Sequence, residues 1–155
     1  MSVNELNGKY MLYDGDVVFA DASEDYDGTC KYVVVKNKDN MPFIAGLHTI
    51  IAHPKNDSIS DEYKQYCFCS LNVRKQFALC ANGISVYGIS KSSIEKISFP
   101  LPPLPEQTAI ANILSTADKE IDLHEKHLAE LKKQKKALMQ QLLTGIVRVN
   151  TEKVI

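Results

Sequence analysis

Apolar residues recur at alternating intervals of three and four residues along the last third of the chain, which is the spacing of a coiled-coil seam. No proline or glycine interrupts Ser115 to Leu143, which predicts a helix about 43 Å long. Gly145 stands where a glycine that ends a helix is expected. The stripe is narrower than that of a helix lying on a globular core, so we expect a second helix to cover it. The predicted seam consists of Ile110, Leu114, Ala117, Ile121, His124, Leu128, Leu131, Lys135, Leu138 and Leu142.

The charges of this helix are ordered, with acidic residues in its first half and lysines in its second half. This order suits the helix dipole, and it also suits an antiparallel copy, in which the acidic half faces the basic half. If the crossing lies between Leu128 and Leu131, the polar seam residues His124 and Lys135 share a layer instead of facing leucines. The alternative is a solvated helix with ordinary charge pairs. The charged residues are Asp118, Glu120, Asp122, Glu125, Glu130, Lys132, Lys133, Lys135 and Lys136.

The front of the chain mixes short β-like runs with short helical patterns, which predicts an α+β fold. A β-branched and aromatic run predicts the clearest strand at Cys30–Val35. The other predicted strands are Val17–Ala20, Phe43–Ala52 broken at Gly46, Ile84–Tyr87 and Ile97–Phe99. The predicted helices are 60–70, capped by Ser58 or Ser60, then 72–80, and a short helix that begins with the capping box Ser92 to Glu95.

A proline-rich segment, Pro100–Pro105, separates this region from the long helix. Prolines cannot donate to a helix or sheet ladder, so the segment is expected to be stiff and extended. Pro105 suits the first helical position, where its missing N–H costs nothing. The predicted organisation is a small α+β domain at 1–99, a linker at 100–105, the long coiled-coil helix at 106–145 and a tail at 146–155.

Composition limits the range of functions. The 155 residues are 45% hydrophobic, which suits one modest domain with an appendage. The net charge is −1, which counts against nucleic-acid binding by charge alone. No apolar run is long enough for a membrane span. The lack of an export signal predicts a cytoplasmic protein with reduced, mostly buried thiols, at Cys30, Cys67, Cys69 and Cys80.

The sequence lacks a recognisable catalytic set, phosphate-binding glycine loop or dinucleotide motif, so we predict a non-catalytic protein with no cofactor. Two metal sites are conceivable but disfavoured. The acidic stretch Asp21–Gly28 lacks the closing glutamate of a calcium loop, which favours a plain surface loop. A zinc site would need His48 and His53 to meet Cys67 and Cys69, and the spacing gives no support for it.

A family resemblance rests on the segment around the prolines, PLPPLPEQ, followed at once by IANIL and a long helix that closes in LMQQLLTG. Together with Ile89–Ile97 and the Gly15-Asp16-Val17-Val18-Phe19 strand, it resembles a target-recognition domain and conserved helix of a type I restriction-modification specificity subunit. The resemblance covers residues 12–148. Family members usually carry two such domains and two helices, and more sequence before the Gly-Asp strand. The resemblance therefore implies a half-subunit or fragment whose recognition domain is incomplete at its N-terminus.

The resemblance implies a reader of double-stranded DNA that recognises one half of a bipartite target. Its helix would pair antiparallel with a second copy or a second recognition half, and would dock methyltransferase subunits, which in turn work with restriction subunits. Loop residues would contact bases and phosphates. The alternative is a dimeric protein–protein adaptor without DNA binding, which the near-neutral charge favours. The predicted DNA-contacting residues are Lys31, Lys36, Lys38, Arg74, Lys75, Asn82, Tyr87 and Lys91.

Overall fold

The computed structural model describes residues 10–25, 28, 30–83 and 85–150, and it confirms the α+β class. The strands are β1 Val17–Ala20, β2 Ala22–Ser23, β3 Tyr32–Val34, β4 Thr49–Ala52 and β5 Tyr87–Gly88. The helices are α1 Asp61–Cys67, α2 Leu71–Cys80, α3 Lys91–Ile94 and α4 Leu104–Leu143. Two compact units comprise residues 1–112 and 113–155.

Strand β1 is the centre of a three-stranded antiparallel sheet with the order β3-β1-β4. Val18 of β1 lies opposite Val33 of β3 on one side and Ile51 of β4 on the other. Strands β2 and β5 form a separate antiparallel pair, in which Ser23 lies opposite Tyr87. Strand β2 begins two residues after β1 ends, and it pairs with β5. The end of β1 therefore lies close to β2 and β5 in the first unit.

Alternation along β1 produces two small cores, because neighbouring side chains point to opposite faces of a strand. Val17 and Phe19 face the helices and pack with Val73 and Phe77 of α2. The Phe19 ring also meets Phe68 edge-on, with centroids 5.2 Å apart. Val18 faces the other way, into a cluster with Leu12 and Val35. The predicted strand at Val17–Ala20 is confirmed residue for residue.

Serine caps begin the short helices. The Ser60 hydroxyl accepts a hydrogen bond from Tyr63 N at 3.2 Å, so Ser60 rather than Ser58 caps α1. Ser90 caps α3 in the same way, accepting from Ser93 N at 3.2 Å. The capping box predicted to begin at Ser92 is therefore wrong. The reason is length: α3 has only four residues, and Glu95 lies at its C-cap instead of in its first turn.

Other predicted strands are wrong in extent or in kind. Cys30 and His48 adopt left-handed φ values of 58° and 59°, so β3 and β4 begin only after them. Of the predicted strand at 43–52, the first half contributes only an isolated bridge between Ile44 and Met11. Ile84 lies outside the described residues, and β5 is confined to Tyr87–Gly88.

The strand predicted at Ile97–Phe99 is also wrong, and a side chain explains its absence. Gln76 of α2 donates to the carbonyl of Ser98 at 2.7 Å and accepts from its amide at 2.9 Å. This glutamine takes the place of a neighbouring strand by satisfying both backbone groups that a sheet would pair. Pro100 follows at once and cannot donate to a ladder.

Candidate nucleic-acid interface and partner helix

Helix α4 carries 40 residues, and its apolar seam is exposed over most of its length. Within the described part of the second unit, Ile121, Leu128 and Leu138 are each more than half exposed. Leucine side chains at such exposure lose the free energy that burial would provide, about 1.5–3 kcal/mol for a fully buried residue. These residues form an exposed apolar row at the spacing that the sequence predicted for the seam. The predicted seam residues of that row, from Leu114 to Leu142, are all exposed, while Ile110 is half-buried in the first unit.

The apolar face widens in the last turns of α4. Met139 and Leu143 lie beside the seam residues Leu138 and Leu142. Together they form an exposed apolar face on α4. A face wider than a two-helix seam can contact more than one neighbouring helix. This face consists of Leu131, Gln134, Lys135, Leu138, Met139, Leu142 and Leu143.

Both ends of α4 follow from local sequence. Gly145 has a left-handed φ of 75°, and its amide donates to the carbonyl of Leu142 at 3.2 Å. The predicted glycine end of the helix is thereby confirmed. At the start, the carbonyl of Pro103 accepts from the amides of Glu106 and Gln107, so the helix begins at Leu104. Pro105 therefore occupies the second helical position, one residue later than predicted, where a missing N–H is equally harmless.

The segment before α4 is bound to the helices of the first unit. The Tyr63 hydroxyl of α1 donates to the carbonyl of Pro100 at 2.9 Å. Burial raises the pKa of this phenol, which keeps the hydroxyl a donor. Gln107 of α4 is fully buried and accepts from the amide of Ser60 at 2.9 Å. Its side-chain amide donates to the carbonyls of Ser58 and Pro102, both at 2.8 Å.

Four of the predicted DNA-contacting residues lie around the end of β1. Lys31 accepts from the amide of Ala20 through its carbonyl, and its side chain is exposed. Asn82 and Gly88 exchange two backbone hydrogen bonds, which closes the loop between α2 and β5. Tyr87 is half-buried on β5. Arg74 reaches the same region through a 3.3 Å hydrogen bond from its guanidinium to the carbonyl of Cys30.

Arg74 has a structural role in addition to its predicted one. It is half-buried, and its guanidinium carbon lies 5.7 Å from the centroid of the Phe77 ring. Its hydrogen bond stabilises the left-handed backbone conformation of Cys30, which lies just before β3. Lys75, the next residue on α2, is exposed. Of this adjacent pair, only Lys75 can be changed without disturbing the core.

The remaining predicted contacts lie elsewhere. Lys36 and Lys38 are exposed and follow the end of β3 that lies away from Lys31, with Lys36 about 16 Å from Lys31 along an extended chain. Lys91 is exposed at the start of α3 and borders a cavity of about 340 Å³. The structure thus distributes the predicted residues over at least two surfaces of the first unit. The cavity is lined by Tyr10, Thr49, Ile50, Ile51, His53 and Lys91.

The Gly-Asp pair has a role that the sequence pattern did not reveal. Asp16 is buried and accepts from the amide of Tyr13 at 2.7 Å and from His53 Nδ1 at 2.8 Å. The carbonyl of Gly15 accepts from the buried ammonium of Lys64 at 2.9 Å. A buried carboxylate and a buried lysine both require such partners. In the sequence, the pair stood out only as the start of a strand that resembles those of specificity subunits.

The structure gives no support to a zinc site. Among the described residues, no three histidine, cysteine or acidic side chains are grouped as a metal would require. His48 precedes β4 and lies 3.4 Å from the carboxylate of Asp21. His53 follows β4 and lies 2.8 Å from the carboxylate of Asp16. Burial raises the pKa of the Cys67 thiol to about 12, which opposes the thiolate form that binds metals.

In the same described ranges, no helix has the length and apolar character needed to cross a membrane.

Comparison with known proteins gives a consistent picture. A model of the type I restriction modification DNA specificity domain matches residues 2–133. The chain is 30% identical over 138 residues to a putative type I restriction enzyme MjaX specificity subunit of Methanocaldococcus jannaschii, covering 88% of the chain and 32% of the relative. It is 35% identical over 97 residues to the MjaVIII specificity subunit of the same organism, covering 62% of the chain and 22% of the relative. The chain thus spans about a third or less of the curated relatives it matches.

Proposed function

The chain belongs to the family of type I restriction modification DNA specificity domains, and from this membership we propose that it reads one half of a bipartite DNA target. It has no catalytic role of its own. Methyl transfer and ATP-driven cleavage belong to the methyltransferase and restriction subunits with which it assembles. The observation that carries the proposal is the exposed seam of α4, directly after the recognition unit.

Two copies of α4 cover each other's seams by pairing antiparallel. Acidic residues in the first half of one helix then face lysines in the second half of the other, which contributes electrostatic complementarity as well as apolar burial. The crossing between Leu128 and Leu131 places His124 opposite Lys135. A different chain that carries a second recognition half and a similar helix could cover the seam in the same way as a second copy of this chain.

The widened apolar face near Leu138 and Met139 supports a further contact with a methyltransferase subunit. After the seams pair, an apolar strip beside Leu142 remains for another helix. The helix from Ser115 to Leu143 is about 43 Å long, a little more than one turn of DNA at about 35 Å. That length suits two recognition units that read half-sites on one face of the duplex.

Cysteine cross-linking tests the antiparallel pairing directly. Leu128→Cys and Leu131→Cys are made in separate chains that also carry Cys69→Ser and Cys80→Ser, since the remaining Cys30 and Cys67 are buried. We expect the mixture to form 128–131 disulfides under mild oxidation. Each variant alone is the control and should cross-link less. Preferential 128–128 linkage would contradict the proposal, because it requires a parallel pair.

DNA reading is tested by removing two exposed lysines of the first unit, Lys31 beside the end of β1 and Lys75 on α2. Replacing Lys31 and Lys75 by alanine should weaken binding to a selected target and reduce the slope of log K against log salt by up to about two units. Lys119→Ala on the second unit, whose side chain is also exposed, is the control. Chains that pair but bind no DNA in a gel-shift would contradict the reading function and favour the adaptor alternative.

A further inference from the structure

Gln107 is the largest polar side chain among the fully buried described residues. An amide side chain offers two N–H donors and an oxygen acceptor, and Gln107 uses all of these groups. Its oxygen accepts from Ser60, and its nitrogen donates to Ser58 and Pro102. A buried amide so fully satisfied is held in one orientation, because any rotation leaves buried polar groups without partners.

The partners of Gln107 come from two different segments. Ser58 and Ser60 precede α1, and Ser60 is its N-cap. Pro102 belongs to the proline segment that leads into α4. One side chain in the first turn of α4 therefore binds the start of α1 and the chain that enters α4. Ala111, one turn later on α4, is also buried, so the same face of the helix start packs within the first unit.

We propose that Gln107 is a positioning residue that sets the spacing between the two half-sites that a pair of chains accepts on DNA. The inference rests on the proposed function. Gln107 fixes the first turns of α4 within the first unit, and α4 continues without a break to the residues that would pair with a second chain. Loss of these hydrogen bonds lets the helix start shift, so that a wider range of half-site separations becomes acceptable.

Spacing is a sensitive readout because DNA is helical. Each base pair added between half-sites rotates one by about 35° relative to the other, since a turn takes about 10.5 base pairs. A fixed helix start rejects such a rotation, whereas a loosened one tolerates it. A merely structural glutamine would alter stability or overall affinity without changing which spacing is preferred.

The chain offers a matched control in Gln76. This half-buried glutamine also binds the amide and the carbonyl of one residue, Ser98, which precedes the prolines and lies outside α4. The test compares Gln107→Leu with Gln76→Leu in the full chain. Gln107→Met, which keeps the unbranched shape, is the second variant if Gln107→Leu does not fold.

The first measurement selects bound duplexes from a randomised DNA pool and determines the spacing between the two enriched half-sites. We expect wild type and Gln76→Leu to prefer one spacing at least about tenfold over its neighbours, and Gln107→Leu to reduce that preference to about threefold or less. The same single spacing with the Gln107 variants would overturn the inference while leaving the proposed function intact. Failure of wild type to enrich paired half-sites would overturn both.

The second measurement is amide hydrogen exchange at Ser60, whose N–H is bonded to Gln107, and it needs no DNA. We expect at least about tenfold faster exchange in Gln107→Leu and an unchanged rate in Gln76→Leu, because only the first loses the acceptor. Equal protection in both variants would show that the hydrogen bond is not holding the helix start, and would overturn the inference independently of DNA binding.

Discussion

The Gly15–Asp16 pair ties three segments of the first unit together. The carbonyl of Gly15 binds Lys64 of α1, and the carboxylate of Asp16 binds His53 after β4. Sequence alone identified the pair as the start of a strand, and that strand is confirmed. It could not identify the partners, because Lys64 is distant in sequence and a buried lysine resembles any surface lysine in a sequence pattern.

A side chain at position 15 should destabilise the protein. Gly15 has a left-handed φ of 80°, and a Cβ there would lie 2.8 Å from Oδ1 of Asp61. Gly15→Ala should lower the free energy of unfolding by about 1–3 kcal/mol, measured by chemical denaturation. Gly46→Ala is the control, since a Cβ there meets nothing within 4 Å. Equal stability of the two variants would contradict the proposed strain.

Two buried thiols should make the protein less stable at alkaline pH. Burial raises the pKa of Cys30 to about 11 and that of Cys67 to about 12. An unfolded thiol titrates near about 8.5, so above this pH the unfolded chain releases protons that the folded chain retains. The contribution of these thiols to the free energy of unfolding should therefore be constant below about pH 8 and fall from there towards pH 12.

Chemical denaturation midpoints measured between about pH 8 and pH 12 report this fall in the free energy of unfolding. Tyr32 adds to the fall with the same sign, because burial and its contact with Cys69 raise the pKa of its phenol. Cys67→Ala is the control and should have a shallower alkaline slope, whatever its stability at neutral pH. A profile that stays flat to about pH 11 would mean that the thiols titrate alike in both states.

Among the helices and strands, the predictions succeeded where a long apolar pattern determines the element. They failed where a few side-chain contacts determine whether a short strand forms. The regular apolar spacing from Ile110 to Leu142 identified α4, and Gly145 marked its end. The strand expected at 97–99 was wrong because one side chain, Gln76, replaced the neighbouring strand. Of the predicted DNA-contacting residues, Arg74 has a partly structural role that sequence could not show, since its partners are Cys30 and Phe77.

A charge on the seam should disrupt pairing, whereas a charge off the seam should not. Leu128→Asp places a carboxylate in a buried layer of the proposed pair and should weaken self-association at least about tenfold. Leu123→Asp is the matched control, because Leu123 is 65% exposed and lies on the other side of the helix from Leu128. Mass in solution by light scattering distinguishes them. Equal dissociation would indicate that charge, rather than the seam, controls pairing.

For the whole molecule, the central claim is that two chains pair head to tail through α4, and each then presents one recognition unit. Membership of the specificity family supports the reading function, and the exposed seam supports the pairing. The near-neutral charge fits this assignment if local loops and lysines contact the DNA, because a single reading surface does not require a basic chain.

The distance between spin labels on the two chains tests this claim most directly. One label is placed at Lys119→Cys, which faces away from the seam, with Cys69 and Cys80 changed to serine. An antiparallel pair centred between Leu128 and Leu131 separates the two labels by about 32 Å along the helix axes, and this is the predicted result. Labels level with one another, separated only by the width of two helices, would contradict the account because they require a parallel pair.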